Sequence, residues 1–595
     1  MQFCIKSCNL ELSSKVVVRD LVEVFAQKGV KHIVISPGSR NAPLTISFNR
    51  HPNFTCYTIV DERCAAFFAM GLAQQLKEPV AICCTSGSAS LNYAPAIVEA
   101  YYQKIPLLVI TADRPPEWID QMDGQTIRQS GIYQNFIKGS YDLPVEADNK
   151  DDRWYSQRII NEAIEKSQYP EFGPVHINVP LREPLYELTD YTNIALPKVF
   201  STVNTQLELP LSQIESLKHE WSKFSKILIV TGLLHPNDAL NKALGKVAKQ
   251  DNVSVLTETT SNSFGDSYNR SIDRVLISIE SKGEADFKPE LLVTLGGPIV
   301  SKKIKTFLRI HKPKEHWHIN ASNDFVDTYK SLTKIIPLAP EKVLCHFTDE
   351  FTGTSNYRNS WLEKDAQLQL VFNDFLKEVE FCDLKAFEIL FNKMPAKSNL
   401  QLANSTVVRY SNLFDQPSNR AFNCFSNRGT SGIDGTLSTA VGAAKAKGEL
   451  TTVITGDLSF FYDSNALWIA PFPQNLKIVM INNKGGSIFR IIDGPAKIEE
   501  LESFFEVKHN LTAENIAKTF GIDYYFCDDA RSFVAPGFVA SNKPNPFSNI
   551  AQTIFPLIYV ALPFGLLILS NSMFPSNSSG KYSSELILGF YFILW

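Results

Sequence analysis

The feature that most constrains the fold is a repeated order of short apolar runs, turns rich in glycine or serine, and helix-like segments. His32–Ser36 is followed by the turn Pro37–Arg40, and a helix-like segment begins at Ala42. The same order recurs at Pro79–Cys84 and the turn Thr85–Ser88. Strands that alternate with helices in this way form parallel, doubly wound sheets. The sequence therefore predicts an α/β protein whose ligands bind at the turns that follow the strands.

The alternation occurs in three blocks. The chain has 595 residues, which is too many for one hydrophobic core at roughly 150 residues per domain. We therefore predict three doubly wound parallel-sheet domains, at 1–190, 195–350 and 365–532. The strand-like runs of the two later blocks include Lys226–Thr231, Leu291–Leu295, Thr451–Ile454 and Lys477–Ile481.

The stretch 533–595 departs from this pattern. Its longest apolar run, Ile554–Leu569, contains Pro556 and Pro563, whereas a membrane-spanning helix needs about 20 continuous apolar residues. The run is compatible with a tail anchor or with an abnormal C-terminus, for instance from a shifted reading frame, and we favour the second interpretation. We expect the stretch to lie outside the fold of the third domain and to leave a sheet edge exposed.

Composition excludes several classes of protein. A formal net charge of -4 provides no broad basic surface, which argues against general nucleic-acid binding. The ten cysteines lack the spacing of a zinc site or a redox dithiol, so we expect reduced thiols. The first ten residues lack the apolar stretch of a secretory signal, so we expect a cytoplasmic protein.

Two polar turns in the third block could hold a metal ion and phosphates. Gly456–Ser459 and Asn482–Gly486 each follow a predicted strand, so both should lie at one edge of the same sheet. Aspartate and asparagine oxygens and a backbone carbonyl suit Mg²⁺, which takes its remaining ligands from water and diphosphate. The adjacent glycines would let the backbone approach the phosphates closely. A single Gly-Asp pair is common in turns, but two such segments about 25 residues apart resemble the diphosphate site of thiamine-diphosphate enzymes.

An acidic residue in the first block fits the same chemistry. Val60–Arg63 ends a strand-like run and precedes a predicted helix at Cys64–Gln74. Glu62 resembles the glutamate that thiamine enzymes place against N1′ of the aminopyrimidine, where it promotes loss of the proton from thiazolium C2. The alternative is an acid that is merely stabilised by the dipole at a helix N-terminus.

Four further runs, in order along the chain, point to one branch of these enzymes. They are Ser36–Leu44, Thr111–Pro116, Ser426–Gly435 and Ser487–Phe489. They resemble the family of 2-succinyl-5-enolpyruvyl-6-hydroxy-3-cyclohexene-1-carboxylate synthases, which join 2-oxoglutarate to isochorismate in menaquinone biosynthesis. The family also has leucine or a similar residue where most thiamine enzymes have a second glycine, and here that residue is Leu458. The resemblance extends over about residues 10 to 530.

The resemblance implies a transferase that uses thiamine diphosphate and Mg²⁺, with Mn²⁺ as an alternative metal. It implies a homodimer or homotetramer, because in this superfamily the first and third domains that contact one cofactor come from different subunits. It assigns Glu62 as the catalytic carboxyl and Asp457, Asn483 and Gly485 as metal ligands. The cofactor-binding residues that it implies are Glu62, Gly456, Asp457, Leu458, Ser459, Asn483, Gly485, Gly486 and Ile488. The substrate-binding residues that it implies are Ser39, Arg40, Gln125, Lys302, Ser405, Arg409, Arg428 and Phe489.

The residue types agree with these assignments but leave alternatives open. Both substrates carry two carboxylates, and arginine recognises a carboxylate with bidentate geometry. Any one arginine could instead form a surface ion pair, Lys302 lies in a lysine-rich run, and Ile488 and Phe489 could be ordinary core residues. The rival functions are another thiamine-diphosphate 2-oxoacid enzyme, such as an acetolactate synthase, and an inactive truncated relative.

Overall fold

This computed structural model describes residues 10–191, 195–203, 205, 207–279, 284–322, 324–349, 351–414, 422–491, 494–534 and 556–561. Contacts between residues group the chain into two compact units. The first unit consists of Met1–Thr205, Asn427–Glu449 and Phe461–Leu476. The second unit consists of Gln206–Ser426, Leu450–Phe460 and Lys477–Trp595. The boundaries of the three domains remain a prediction.

The N-terminal part of the first unit is a parallel sheet with helices. Its strands are β1 (Glu11–Ser13), β2 (His32–Ile35), β3 (Thr55–Thr58), β4 (Val80–Cys84), β5 (Leu107–Asp113), β6 (Ser140–Asp142), β7 (Val175–Pro180) and β8 (Leu188–Asp190). Its helices are α1 (Val16–Gln27), α2 (Ala42–Arg50), α3 (Glu62–Leu76), α4 (Ser88–Asn92), α5 (Ala94–Gln103) and α6 (Lys150–Gln168). β1 and β8 pair antiparallel, and the other six strands form a parallel sheet in the order β3-β2-β4-β5-β7-β6. β4 and β5 are buried along their whole length, as expected for strands covered on both faces.

The helical segment that follows β4 is divided into α4 and α5. Tyr93 ends the first and begins the second, and Pro95 occupies the first turn of α5. Proline has no backbone N–H, and its ring clashes with the carbonyl four residues earlier, so one continuous helix cannot pass through this position.

The second unit contains two six-stranded sheets. The first of them includes β9 (Ile227–Thr231), β10 (Val253–Thr257), β11 (Tyr268–Asn269), β12 (Leu291–Leu295), β13 (Glu315–Ile319) and β14 (Lys334–Ile336). Its strands are parallel in the order β11-β10-β9-β12-β13-β14. The helices of this part of the chain are α7 (Leu211–Trp221), α8 (Asp238–Val247), α9 (Ile272–Ile279), α10 (Glu284–Phe287), α11 (Lys302–Ile310) and α12 (Pro340–Leu344).

The second sheet of this unit carries the predicted metal motif. Its strands are β15 (Asn399–Leu402), β16 (Asn423–Ser426), β17 (Thr451–Gly456), β18 (Leu476–Asn482), β19 (Asp523–Cys527) and β20 (Pro556–Ala561), in the order β16-β15-β17-β18-β20-β19. The remaining α-helices of the described residues are α13 (Tyr357–Glu378), α14 (Asp383–Lys393), α15 (Thr406–Ser411), α16 (Thr436–Lys447), α17 (Asp457–Tyr462), α18 (Ile488–Ile491), α19 (Glu514–Thr519) and α20 (Ala530–Val534), of which α16 belongs to the first unit. The three parallel sheets confirm the predicted α/β class.

β20 corrects the expectation that the stretch 533–595 contributes nothing to this sheet. It pairs in parallel with both β18 and β19, which do not pair with each other. An apolar run that includes Ile558, Tyr559 and Val560 suits a strand with a neighbour on each side. Pro556 is its first residue, where a missing N–H is tolerated. Phe533, at the start of the stretch, is also buried, and its ring centroid lies 6.2 Å from that of Phe381. Residues 535–555 and 562–595, including the rest of the apolar run, lie outside the described residues.

Two glycines allow α3 and α16 to pack closely within the first unit. A Cβ at position 71 would lie 2.1 Å from the carbonyl oxygen of Thr439, and a Cβ at position 442 would lie 2.0 Å from that of Phe68. Both distances are far below van der Waals contact, so neither position accepts a side chain without separating the helices. None of the helices in the described residues is both long and apolar enough to span a membrane.

We expect Gly71→Ala to lower the melting temperature, because overpacking a buried contact costs about 1–3 kcal/mol. Gly245→Ala in α8 is the matched control, since the nearest atom to its added Cβ is the Tyr268 hydroxyl at 3.6 Å. That change should stabilise the chain by up to about 1 kcal/mol through helix propensity. Thermal unfolding followed by circular dichroism measures both effects, and equal melting temperatures for the two variants would contradict the close packing.

Candidate active site

The structure brings the two predicted polar turns of the third block together. Asp457 follows β17 directly and is 2% exposed. Its Oδ1 accepts a hydrogen bond from the Leu458 N–H at 2.6 Å, and its Oδ2 accepts one from the Gly485 N–H at 3.0 Å. Burial raises the pKa of Asp457, and the nearby His509 and these backbone donors oppose that rise. The carboxylate therefore lies at the carboxyl ends of two strands, where sheets of this kind bind ligands.

The two glycines after Lys484 pack so closely against neighbouring segments that a side chain would not fit without a shift. Gly485 has φ +151°, and a Cβ there would lie 2.7 Å from the carbonyl oxygen of Glu506. The Gly486 N–H donates to the same Glu506 oxygen at 2.6 Å. Only glycine fits position 485 without strain, because its φ is in the left-handed region and the Glu506 carbonyl lies where a Cβ would be.

Asn483 contacts a second acid that the sequence motifs do not contain. Its Nδ2 donates to Asp383 Oδ2 at 3.1 Å and to the Ser487 hydroxyl at 2.8 Å. Burial raises the pKa of Asp383 to about 6, and the field of Asp457 adds to the rise. Two carboxyl groups that disfavour each other's ionisation make an environment that a cation would stabilise.

A histidine also lies beside the metal motif, although sequence analysis assigned none. His509 Nε2 is 3.3 Å from Asp457 Oδ2. The Leu511 N–H donates to His509 Nδ1 at 3.1 Å, so Nδ1 acts as an acceptor. His509 follows no recognisable motif, and only the fold brings it to Asp457.

The donor set fits a hard cation held together with a diphosphate. Asp457 offers a carboxylate, Asn483 an amide oxygen and Gly485 a backbone carbonyl. Within the described part of the chain, no three histidine, cysteine, aspartate or glutamate side chains are arranged to hold a metal by themselves. A cation here would therefore depend on amide, carbonyl and phosphate oxygens, as Mg²⁺ commonly does.

The other predicted cofactor residues of the third block, and the predicted substrate residue Phe489, lie on the same two segments. Gly456 is the last residue of β17, and Leu458 and Ser459 lie in the first turn of α17. Ile488 and Phe489 begin α18, and the Phe489 ring centroid lies 5.5 Å from that of Phe505. All five positions are thus close in sequence to Asp457 or Gly485.

Glu62 is the first residue of α3, which begins two residues earlier than predicted. Asp61 caps the helix by accepting the Cys64 N–H at 3.1 Å, and Asn92 Nδ2 donates to Glu62 Oε2 at 3.3 Å. Glu62 is partly buried, so its carboxyl is accessible to solvent and could contact a ligand. The alternative of an acid stabilised by the helix dipole stays open, because Glu62 lies in the first turn.

The residues on either side of Glu62 are fixed to one segment of the first unit. Asn465 Nδ2 donates to Asp61 Oδ2 at 2.8 Å. Arg63 Nη2 donates to the Tyr462 carbonyl at 2.7 Å, and its guanidinium lies 4.5 Å from the Tyr462 ring centroid. These contacts fix the first turn of α3, and with it the backbone that carries Glu62.

Arg40 is buried rather than exposed as a free cation. Its Nη1 donates to the Leu181 carbonyl at 2.9 Å, and its Nη2 lies 3.2 Å from Glu183 Oε1. Burial lowers the pKa of Arg40, and the charge of Arg114 adds to the effect. Its Nε is buried without a hydrogen-bond partner. Because Glu183 is largely exposed, an incoming carboxylate could replace it at the guanidinium.

The other predicted substrate residues of the first unit lie in loops. Ser39 is exposed in the turn after β2. Gln125 is exposed with φ +56°, and its backbone lies against Gly87. Arg428 is partly buried.

Lys302, Ser405 and Arg409 lie around two acids of the second unit. Arg409 Nη1 donates to the Ser405 carbonyl at 2.5 Å. Burial lowers the pKa of Arg409, and the charges of Asp273 and Glu258 oppose this. Glu258 accepts the N–H of Ser301, the residue before Lys302, at 2.7 Å. Lys302 begins α11 and is exposed.

Comparison with known proteins agrees with this geometry. Residues 16–134 match the family model of the thiamine pyrophosphate enzyme N-terminal TPP binding domain. A 2-succinyl-5-enolpyruvyl-6-hydroxy-3-cyclohexene-1-carboxylate synthase of Flavobacterium psychrophilum is 45% identical over 508 residues, which cover 85% of this chain and 90% of that protein. The chain belongs to this synthase family. Synthases of the same name from Christiangramia forsetii and Bacteroides thetaiotaomicron are 42% and 38% identical, over 85% and 86% of this chain and 90% of each relative.

Membership in the synthase family confirms the predicted family and the predicted class of enzyme. The chain is a thiamine-diphosphate-dependent transferase. The roles of its individual residues, its metal and its substrates are proposals.

Proposed function

We propose that the chain decarboxylates 2-oxoglutarate and adds the remaining four-carbon unit to isochorismate, using thiamine diphosphate and Mg²⁺, in menaquinone biosynthesis. The observation that carries the proposal is the contact between the two diphosphate motifs, in which Asp457 Oδ2 accepts the Gly485 N–H at 3.0 Å. The names of the relatives support the choice of substrates.

Different residues of the second unit would bind the metal, the phosphates and the rest of the cofactor. Asp457, Asn483 and the Gly485 carbonyl would hold Mg²⁺, and the backbone at Gly486 would approach the phosphates. Ile488 would pack against the cofactor. When bound, thiamine diphosphate supplies the nucleophilic carbon and the electron sink that decarboxylation of a 2-oxoacid requires.

Glu62 would supply the acid–base chemistry that the cofactor needs. Its carboxyl would hold a proton at the aminopyrimidine N1′, which is general acid–base catalysis by a positioned side chain. The cap at Asp61 fixes the first turn of α3 and so limits the positions that the carboxyl can reach. In this superfamily the partners of one cofactor come from two subunits, so we infer a homodimer or homotetramer, in the cytoplasm.

The cationic residues would recognise the four carboxylates of the two substrates. Arg40, Arg409 and Arg428 would form charge-assisted hydrogen bonds, which are about twice as strong as neutral ones. Burial of Arg40 and Arg409 makes each guanidinium poorly hydrated, and so favours exchange of a protein partner for a substrate carboxylate. Ser39, Gln125, Lys302 and Ser405 would add hydrogen bonds, and Phe489 would pack beside the substrate.

We expect Arg40→Ala, Arg409→Ala and Arg428→Ala each to raise the KM for one substrate by about a hundredfold, because losing two charge-assisted hydrogen bonds costs about 3 kcal/mol. Steady-state kinetics with each substrate varied in turn measures the effect. Arg128→Ala is the control, since Arg128 is highly exposed and pairs with Asp120.

Two outcomes would contradict the proposal. Pyruvate serving as well as 2-oxoglutarate would favour an acetolactate-type reaction. Unchanged KM values in all three variants would show that these arginines do not bind substrate.

A further inference from the structure

A buried glutamate of the first unit is bonded to the loop that follows Arg428. Glu99 lies in α5 and is 1% exposed. Its Oε1 accepts the Gly429 N–H at 2.6 Å, and its Oε2 accepts the Thr430 N–H at 2.7 Å and the Thr430 hydroxyl at 2.6 Å. The side-chain amide of Gln103 donates to Oε1 as well.

These donors account for the full accepting capacity of the carboxylate. An ionised carboxylate has about four lone-pair sites, and an isolated buried charge is very costly unless those sites are filled. Three of the four donors here belong to Gly429 and Thr430, so the stability of the buried charge depends on the position of this loop. The reverse also holds, since displacing the loop would leave the Glu99 carboxylate with unfilled acceptor sites.

The loop is adapted to this contact at both ends. A Cβ at Gly429 would lie 2.8 Å from the Glu99 carbonyl oxygen and 3.0 Å from Tyr102 Cβ, so glycine is required for the close approach to α5. At the other end, Gly435 has φ +72°, and a Cβ there would lie 2.2 Å from the Phe67 ring of α3. Residues 429–435 are therefore fixed on α5 at one end and on α3 at the other.

We propose that Glu99 is a positioning residue that orients Arg428 toward a substrate carboxylate. Arg428 immediately precedes the two amides that Glu99 binds, so fixing those amides fixes the direction in which its side chain leaves the backbone. The inference rests on the proposed function in one respect: that Arg428 binds a carboxylate of the substrate. It adds a residue that touches neither substrate nor cofactor and acts through the loop.

The test compares Glu99→Gln with Arg428→Ala and with the double variant. Glutamine keeps the size of the side chain but places an N–H₂ against at least one loop donor, so the loop should move. We expect Glu99→Gln to raise the KM for the same substrate as Arg428→Ala by about tenfold or more, as for a lost hydrogen bond to a charged group, with kcat essentially unchanged. In the double variant the KM should equal that of Arg428→Ala, because two residues that act through one interaction are not additive.

Two further variants make the result specific. Thr430→Val removes the hydroxyl donor and keeps both backbone amides, so it should give a smaller rise in the same KM. It provides the test if Glu99→Gln does not fold. Glu78→Gln is the control, since Glu78 is exposed and pairs with Lys31 at the surface.

The outcomes separate this inference from the proposed function. If Arg428→Ala raises a KM and neither Glu99→Gln nor Thr430→Val does, the inference is wrong and the proposed function stands. If the effects of Glu99→Gln and Arg428→Ala multiply in the double variant, Glu99 acts on general stability and the inference is again wrong. If Arg428→Ala changes neither KM, the assignment of Arg428 fails, and the role of Glu99 fails with it.

Discussion

Asp457→Ala is expected to abolish the rise in melting temperature that thiamine diphosphate and Mg²⁺ together give to the unaltered chain. A ligand that binds only the folded state stabilises it by about 2.7 kcal/mol at a hundred times its dissociation constant. The alanine variant lacks the buried carboxylate between the two polar turns, and so lacks both the metal ligand and the acceptor of the Gly485 N–H. Differential scanning fluorimetry with and without the two ligands measures the shift.

The control and the metal arm make this prediction specific. Asp528→Ala removes an exposed acid of the same unit, and its ligand-induced shift should match that of the unaltered chain. Chelation of the metal should reduce the shift in the unaltered chain to that of Asp457→Ala. A full shift in Asp457→Ala would place the metal elsewhere and contradict the proposed ligands.

The sequence predicts well those features that depend on neighbouring residues. Leu291–Leu295 is a continuous apolar run, as expected for a parallel strand that is covered on both faces, and the structure gives it the predicted bounds. The turns after β17 and β18 are predictable for the same reason, since glycine, aspartate and asparagine follow an apolar run directly. Such local signals place Asp457 and Asn483 at the edge of a sheet without knowledge of the sheet order.

The remaining site residues could not be predicted, because they join the site only through tertiary contacts. Asp383 begins a helix far from Asn483 in the sequence, and His509 follows no motif. Glu99 looks like an ordinary polar residue of an amphipathic helix until the fold brings Gly429 to it. A single sequence carries no signal for such pairs, since neither partner has a pattern of its own.

The C-terminal region shows a different limit. Breaks at Pro556 and Pro563 argue against a membrane helix, but they do not exclude a short strand that begins at the first of them. β20 begins at Pro556 and ends before Pro563, and its place between β18 and β19 depends on two strands that are distant in sequence. The hydrophobic pattern showed that the alternation of strands and helices ends near residue 533. It could not show that β18 and β19 leave room for a strand between them.

Glu62→Gln is expected to lower turnover by a factor of about 10²–10⁴, the usual contribution of a general acid or base. Glutamine keeps the shape of the side chain and its contact with Asn92, but it cannot donate and accept a proton at the aminopyrimidine. The ligand-induced rise in melting temperature should remain, because Asp457, Asn483 and the glycine turn are unchanged. Single-turnover decarboxylation of 2-oxoglutarate, measured as release of CO₂, isolates the step that depends on the carboxyl.

The alternative role of Glu62, a helix acid stabilised by the dipole, predicts a different pattern, and one control measures it. Asp238 lies in the first turn of α8, so Asp238→Asn should cost about 0.3–1 kcal/mol of stability and leave turnover unchanged. If Glu62→Gln behaves in the same way, with a small loss of stability and nearly full decarboxylation, Glu62 only stabilises α3. If turnover falls by orders of magnitude while stability and cofactor binding stay unchanged, the carboxyl acts on the cofactor. The contacts that fix the first turn of α3 then orient this carboxyl.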